Sequence, residues 1–297
     1  MKNKSASGLI LLAAILLLSA CGSGSLPAVT ETPPPEPTLP PSPTATLTPV
    51  PPTDTPQPTA TPTLPPYAGF ELHSPLQDIQ LSEMREIKTT DFIPPAPGHD
   101  DGHHGVDFAY YSRGTHQKME GLEIYAMMSG RVAGVSKELP PYGNLIIIET
   151  PLENIPPQLL ATLPDYPVAT PYPYNPRMEA CGYYLSDTSA FTPNALYILY
   201  GHLQFPATLQ VGDEVKAGDL IGNVGNTGKE YSGNPHLHLE MRLGVDGTEF
   251  ASMGYYTTSA TDAERMQYCI WRVSGRYILI NPLDVMDAWM QIQQPGN

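Results

Sequence analysis

Six stretches of the chain alternate apolar with polar positions or run apolar for a few residues, and each is cut by Gly, Pro or Asn: GVDFAYY, LEIYAMMSGRVAGVS, YGNLIIIET, ALYILYGHL, LQVGDEVKAGDLIGNVGN and HLHLEMRLG. A period of two places successive side chains on opposite faces of an extended backbone, so these segments predict strands joined by turns. Helical spacing is confined to Leu81–Ile87, Ala260–Met266 and Pro282–Met290. The pattern therefore predicts a mainly antiparallel β domain. Within Val211–Gly225, Gly212 and Gly218 suit tight turns at positive φ and need no ligand to explain them. Two stretches break the strand pattern for longer than a connecting loop requires, residues 150–193 and 245–275. Insertions of that length in a compact domain are commonly functional.

Towards the N-terminus the pattern changes character. Behind Lys2 and Lys4, Leu9–Leu18 is unbrokenly apolar, too short to span a bilayer but suited to the core of an export signal. It ends Leu18-Ser19-Ala20-Cys21, similar to a bacterial lipoprotein box, which makes Cys21 the expected lipidated first residue of the mature chain. From Pro27 to Pro66 there are 16 prolines, a composition that builds no core and favours an extended spacer reaching about 120 Å. The expected plan is a signal peptide over 1–20, a lipidated and Pro/Thr-rich linker over 21–66, and a domain over 67–297. The protein is thus expected to be exported and held by its lipid on the outer face of a membrane. A formal charge of −15 excludes a basic footprint for nucleic acid. An oxidising compartment also allows Cys181 and Cys269, one in each insertion, to pair.

The histidines are where chemistry enters. In Asn234–Glu240, NPHLHLE, His236 and His238 share one face of a strand while Leu237 and Leu239 share the other. Upstream, PGHDDGHHGVDF contains His99, His103, His104 and Asp107. His103 and Asp107 lie four apart on one side, with Gly105 between them expected to leave room for an ion. With His238 they compose a two-His, one-Asp set that suits Zn²⁺ with a fourth position open, the pattern of a catalytic site. His104 is expected to face away as an exposed loop residue, and His99 to lie at the surface. His202, at the end of the strand in YILYGHL, is placed to reach the same site.

Taken in order, HHGVD, GLEIYAMMSGRVAGV, YGNLIIIE, YILYGHL, VGDEVKAGDLIGNVGNTG, NPHLHLE and INPLDVM resemble the lysostaphin-type (LytM-like) zinc metallopeptidases over most of Gly102–Met286. The resemblance implies a duplicated, barrel-sandwich-like β fold with an active-site groove, and hydrolysis of peptide bonds in bacterial cell-wall peptidoglycan. Carried over by motif, His103, Asp107 and His238 are zinc ligands, and His202 and His236 are the catalytic pair, with their division of labour left open. A wall-binding or regulatory module that controls another hydrolase is the alternative, and the complete ligand set weighs against it. The motifs name no divisome or wall-synthesis partner. The segment before the first histidine departs from the family, since Arg85 has no clear counterpart there. The two insertions are expected to lie over or beside the groove, clasped by a Cys181–Cys269 bridge, and to restrict which peptide enters.

Overall fold

The computed structural model describes residues 66–96, 99–163, 181, 192–228 and 233–294. The expected export signal, Cys21 and the proline-rich stretch lie outside the described residues, as does most of the first insertion.

Among the described residues ten strands form in chain order: β1 Lys88–Thr90, β2 Val106–Phe108, β3 Glu123–Tyr125, β4 Gly130–Leu139, β5 Gly143–Pro151, β6 Ala195–Leu203, β7 Glu214–Val215, β8 Leu220–Asn223, β9 Leu237–Gly244 and β10 Ile278–Ile280. The main sheet runs β1-β2-β9-β6-β5-β4-β7, antiparallel throughout, with β10 pairing the far half of β9. β3 and β8 make a separate ribbon whose Ile124 and Ile221 enter the main core. The mainly antiparallel β class holds. Its form is a sheet and a small ribbon packed together, and not a closed barrel, because the strand path ends at β1 and β7.

Every residue of β6 is buried, and so is nearly all of β5 and β9. The reason is that both faces of the sheet centre are covered. Ile146, Ile148, Ile198, Tyr200, Leu239 and Met241 face the main core. The alternate positions Leu145, Ile147, Tyr197 and Leu199 face a second, aromatic cluster built on Phe250, Tyr268, Trp271 and Tyr277. A strand covered on both sides reads as a continuous apolar run, which is why YILY shows no alternation. Each such Ile or Leu contributes about 1.5–3 kcal/mol by burial, so Ile198→Ala is expected to cost about 2–5 kcal/mol.

The second cluster exists because the second insertion folds. Helix α2, Asp262–Arg272, begins at Thr261, whose hydroxyl accepts the Glu264 N–H while the Glu264 carboxylate accepts the Thr261 N–H. It buries Tyr268, Cys269 and Trp271, and so extends well past the expected Met266. The structure joins Cys269 to Cys181 in a disulfide, Cα to Cα 5.3 Å. Helix α3, Pro282–Ile292, starts where Asn281 caps the Leu283 N–H and packs Leu283, Val285 and Met286 into the main core. A short helix α1, Pro157–Leu160, opens the first insertion. Leu81–Ile87, expected to be helical, forms only a 3-10 turn at Leu81–Glu83. The chain must straighten there, because Lys88–Thr90 pairs with β2.

Candidate metal centre

The register of the sheet assembles the site. His238 on β9 stands opposite Asp107 on β2 and opposite Gly201 on β6. His103 is brought alongside by reciprocal backbone hydrogen bonds with Ile93, both 2.8 Å. The chain bends between His103 and β2, so His103 and Asp107 meet across a turn and not along one strand. Gly105 at that bend has a different use from the one expected. A Cβ there would lie 2.4 Å from the Leu239 carbonyl oxygen and 2.9 Å from the His238 ring, so the missing side chain makes room for the imidazole itself.

Three donor atoms converge: His103 Nε2, Asp107 Oδ1 and His238 Nδ1, separated by 3.1, 2.9 and 3.2 Å. Ligands at about 2.0–2.2 Å around a tetrahedral zinc stand about 3.3–3.6 Å apart, so this triangle needs to open only slightly to hold one. The outer nitrogens agree with that use. His103 Nδ1–H donates to the Asp91 carbonyl at 2.8 Å, and His238 Nε2–H donates to Glu240 at 3.4 Å. With a metal in place each inner nitrogen would present its lone pair to the centre, as a ligating imidazole must; without one, both stand within hydrogen-bond distance of Asp107 Oδ1. Burial opposes ionisation of Asp107, yet the hydrogen bonds from His103 and His238 hold its carboxyl well below the usual range. Burial likewise disfavours a charge on His238, but Asp107 and Glu240 outweigh it and push the metal-free imidazole up to about 9.

Two more imidazoles flank the triangle. The rings of His202 and His236 lie 4.6 Å apart, and His202 is 5.9 Å from His238. His202 Nδ1–H donates to the Thr227 carbonyl at 2.8 Å and His236 Nδ1–H to the Asn234 carbonyl at 2.7 Å. Among the described residues neither Nε2 has a hydrogen-bond partner, that of His236 standing 3.6 Å from Asp107 Oδ1. Burial, then the neighbouring His236 and His238, pushes His202 down to about 3, so it is neutral at physiological pH. His202 sits at φ 60, with its N–H donating to the Tyr142 carbonyl at 2.8 Å, a left-handed backbone that turns the ring toward the site. A cavity of about 450 Å³ opens beside Asp107 and His236, walled by Thr89, Thr90, Tyr110 and Tyr111.

Behind the site lies a set of buried charges that the motifs did not single out. Glu240 and Arg242 continue the His238 face of β9; the Arg242 guanidinium bonds Glu240, and its Nη2 donates to His104 Nδ1 at 2.7 Å. Burial would raise the Glu240 carboxyl, but Arg242, His238 and Arg272 hold it well below the usual range. His104, expected at the surface, is fully buried here and pushed down to about 2 by burial and by Arg272 and Arg242. Its partner is 138 residues away in sequence, which a local reading could not supply. The visible signal was the unbroken polar alternation His236, His238, Glu240, Arg242. His99 is half-buried in the loop, as a near-surface residue. The α2 insertion lies on this same face of the sheet, beside the site.

Residues 188–251 match peptidase family M23. That stretch holds His202, His236 and His238, while His103 and Asp107 precede it and join them through the β2–β9 register. Among curated proteins none matches the sequence. Of solved structures, the catalytic domain of the antimicrobial peptidase lysostaphin from Staphylococcus simulans is 19% identical, covering 70% of this chain and 98% of that one at a TM-score of 0.35. The catalytic domain of the prophage-encoded M23 protein EnpA from Enterococcus faecalis, as an A109H mutant, is 22% identical over 59% of this chain and 92% of that one, TM-score 0.31. A putative glycyl-glycine endopeptidase lytM from Ruminococcus gnavus is 21% identical over 63% and 47%, TM-score 0.32. The HxH strand and the preceding His202 both fall inside the segment that matches peptidase family M23.

Proposed function

We propose that the protein is a zinc-dependent endopeptidase that hydrolyses peptide bonds of bacterial cell-wall peptidoglycan, in wall remodelling or cell separation, and that it is exported and lipid-anchored through Cys21. The observation that carries the reading is the convergence of three ligand atoms, the two imidazoles among them with outer nitrogens already committed to acceptors, next to two more imidazoles whose Nδ1–H groups are fixed on backbone carbonyls. The substrate class comes from the motif resemblance, and the location from the export signal and Cys21.

His103, Asp107 and His238 would hold the metal. Bound there, zinc supplies Lewis acidity toward a carbonyl oxygen and acidifies water toward neutrality. His202 does the first proton work. It is held neutral by burial with Nδ1–H fixed on Thr227, so its Nε2 accepts a proton from the attacking water and returns it to the leaving amine. His236 is the more open of the pair, 12% exposed, and its Nε2 faces the Asp107 carboxylate. In its protonated form it donates toward the oxyanion that develops on the scissile carbonyl. The cavity beside Asp107 and His236 receives one arm of the peptide.

The test is direct. The zinc-loaded full chain, incubated with purified peptidoglycan, is expected to release fragments carrying new amine termini, and a chelator should stop the release. Absence of new amine termini from the metal-loaded protein sinks the enzyme reading.

A further inference from the structure

The metal-bearing segments are tied together by a residue that belongs to neither. Arg272, the last residue of α2, divides its guanidinium between them. Its Nε donates to Asp100 Oδ1 at 2.6 Å, in the loop three residues before His103, and this pair is buried, 9% and 4% exposed. Asp100 Oδ2 also accepts from Tyr268 at 2.6 Å and from Tyr256. On the other side, Arg272 Nη1 donates to Tyr142 Oη at 3.0 Å, and Tyr142 donates onward to Glu240 Oε2 at 2.7 Å. Glu240 then accepts the His238 Nε2–H at 3.4 Å.

We propose that Arg272 is a positioning residue for the metal centre, fixing the loop of His103 through Asp100 and the ring of His238 through Tyr142 and Glu240. This inference rests on the metallopeptidase reading of His103, Asp107 and His238. The direction of the protons supports it. With Arg272 donating to Tyr142, the phenol has its own proton free for Glu240, and Glu240 keeps both lone-pair directions for acceptance, which holds His238 in the tautomer that leaves Nδ1 bare. The guanidinium also lies over the Tyr142 and Tyr268 rings, 5.7 and 5.6 Å from their centroids, so it cannot swing without losing both stacks. A lysine reproduces the charge but not the fork that serves two partners at once. The element that delivers Arg272 is itself fastened one turn earlier, where Cys269 joins Cys181.

The experiment uses the full chain with cobalt(II) as the probe, its visible spectrum reporting ligand geometry and its affinity measured by competition with a chromophoric chelator. R272K and Y142F are each expected to weaken cobalt affinity about 10–100-fold and to alter the band positions. Y142F removes one hydroxyl and keeps the packing, so it speaks even where R272K folds poorly. The double variant should lose little more than R272K alone, because Tyr142 acts downstream of Arg272. Wild-type affinity and spectrum in both single variants, or full additivity in the double, overturns the relay and leaves the peptidase reading standing. Failure of the wild-type chain to take up cobalt overturns both.

Discussion

The polar face of β9 has two ends that look alike in sequence and differ in kind. At the outer end His238, and His236 just before the strand, turn their inner ring nitrogens towards one carboxylate, 2.9 and 3.6 Å from Asp107 Oδ1. At the inner end Glu240 and Arg242 are wholly buried, and each donor or acceptor is matched: Glu240 to Arg242, Tyr142 and His238, Arg242 to Glu240, His104 and the Tyr277 carbonyl. One end opens on a cavity lined by Asp107 and His236; the other is closed. The site is thus marked by three imidazoles crowded on one carboxylate, beside a buried pair in which each nitrogen and oxygen has its own partner.

The sharpest break in that comparison comes at the outer end. His238→Ala is expected to abolish metal binding and turnover together, because it removes one of the three converging ligand atoms. His236→Ala should keep metal at full stoichiometry and lose about 10²–10⁴ in turnover, the usual contribution of one proton-handling group. Metal content set beside fragment release separates the two, and full zinc occupancy in the His238 variant would mean that the ligands are misassigned. The next effect belongs to the inner end. Glu240→Leu leaves Arg242 buried without its carboxylate and should cost about 3–5 kcal/mol in urea unfolding, whereas Glu240→Leu with Arg242→Met should recover much of that. The double variant should not recover metal affinity, since His238 Nε2–H still lacks its acceptor. Recovery of both would show that the inner end does not serve the outer one.

Gly105 sharpens the contrast on a smaller scale. A methyl at that position meets the His238 ring and the Leu239 carbonyl. Gly105→Ala is therefore expected to weaken metal affinity by more than it lowers the melting temperature, measured on the same preparation; equal proportional losses would mark it as a packing residue only.

How much of this could be read from the chain depends on the distance of the partner. Period-two alternation is local, and it sufficed to set His238 on β9 and His236 just before it on one side, with Leu237 and Leu239 on the other. The doubly covered strands β5 and β6 were recognisable as apolar runs, but not which face would meet which cluster, because the aromatic cover comes from Phe250, Trp271 and Tyr277, far along the chain. His104 illustrates the limit. Beside Asp100 and Asp101 it reads as a loop residue, and only the arrival of Arg242 from β9 makes its burial affordable. Tyr142, Asp100 and Arg272 carry no local signature, since each has meaning only through the others. The helix Leu81–Ile87 failed for the converse reason: a local spacing was overridden by the pairing of β1 with β2.

The most gradual expected effect is the pH dependence of stability, spread over several pH units, and it sets the histidines against one another. His104 and His202 are pushed down to about 2 and about 3, below the unfolded value of 6.5. Their contribution is fully present above pH 6.5 and is lost as pH falls, because the unfolded chain binds protons that the folded chain refuses. His238 without metal is raised to about 9, so its contribution is present below pH 6.5 and is lost as pH rises through 9. The chelated protein should thus be most stable near pH 6.5, falling on either side by at most about 1.4 kcal/mol per pH unit for each group. Zinc replaces the proton on the His238 Nδ1, so in the loaded protein the alkaline limb should disappear while the acid limb from His104 persists. Urea midpoints between pH 5 and 9, where Asp107 and Glu240 stay ionised, distinguish the cases. An alkaline limb unchanged by zinc would place the ion elsewhere than on His238.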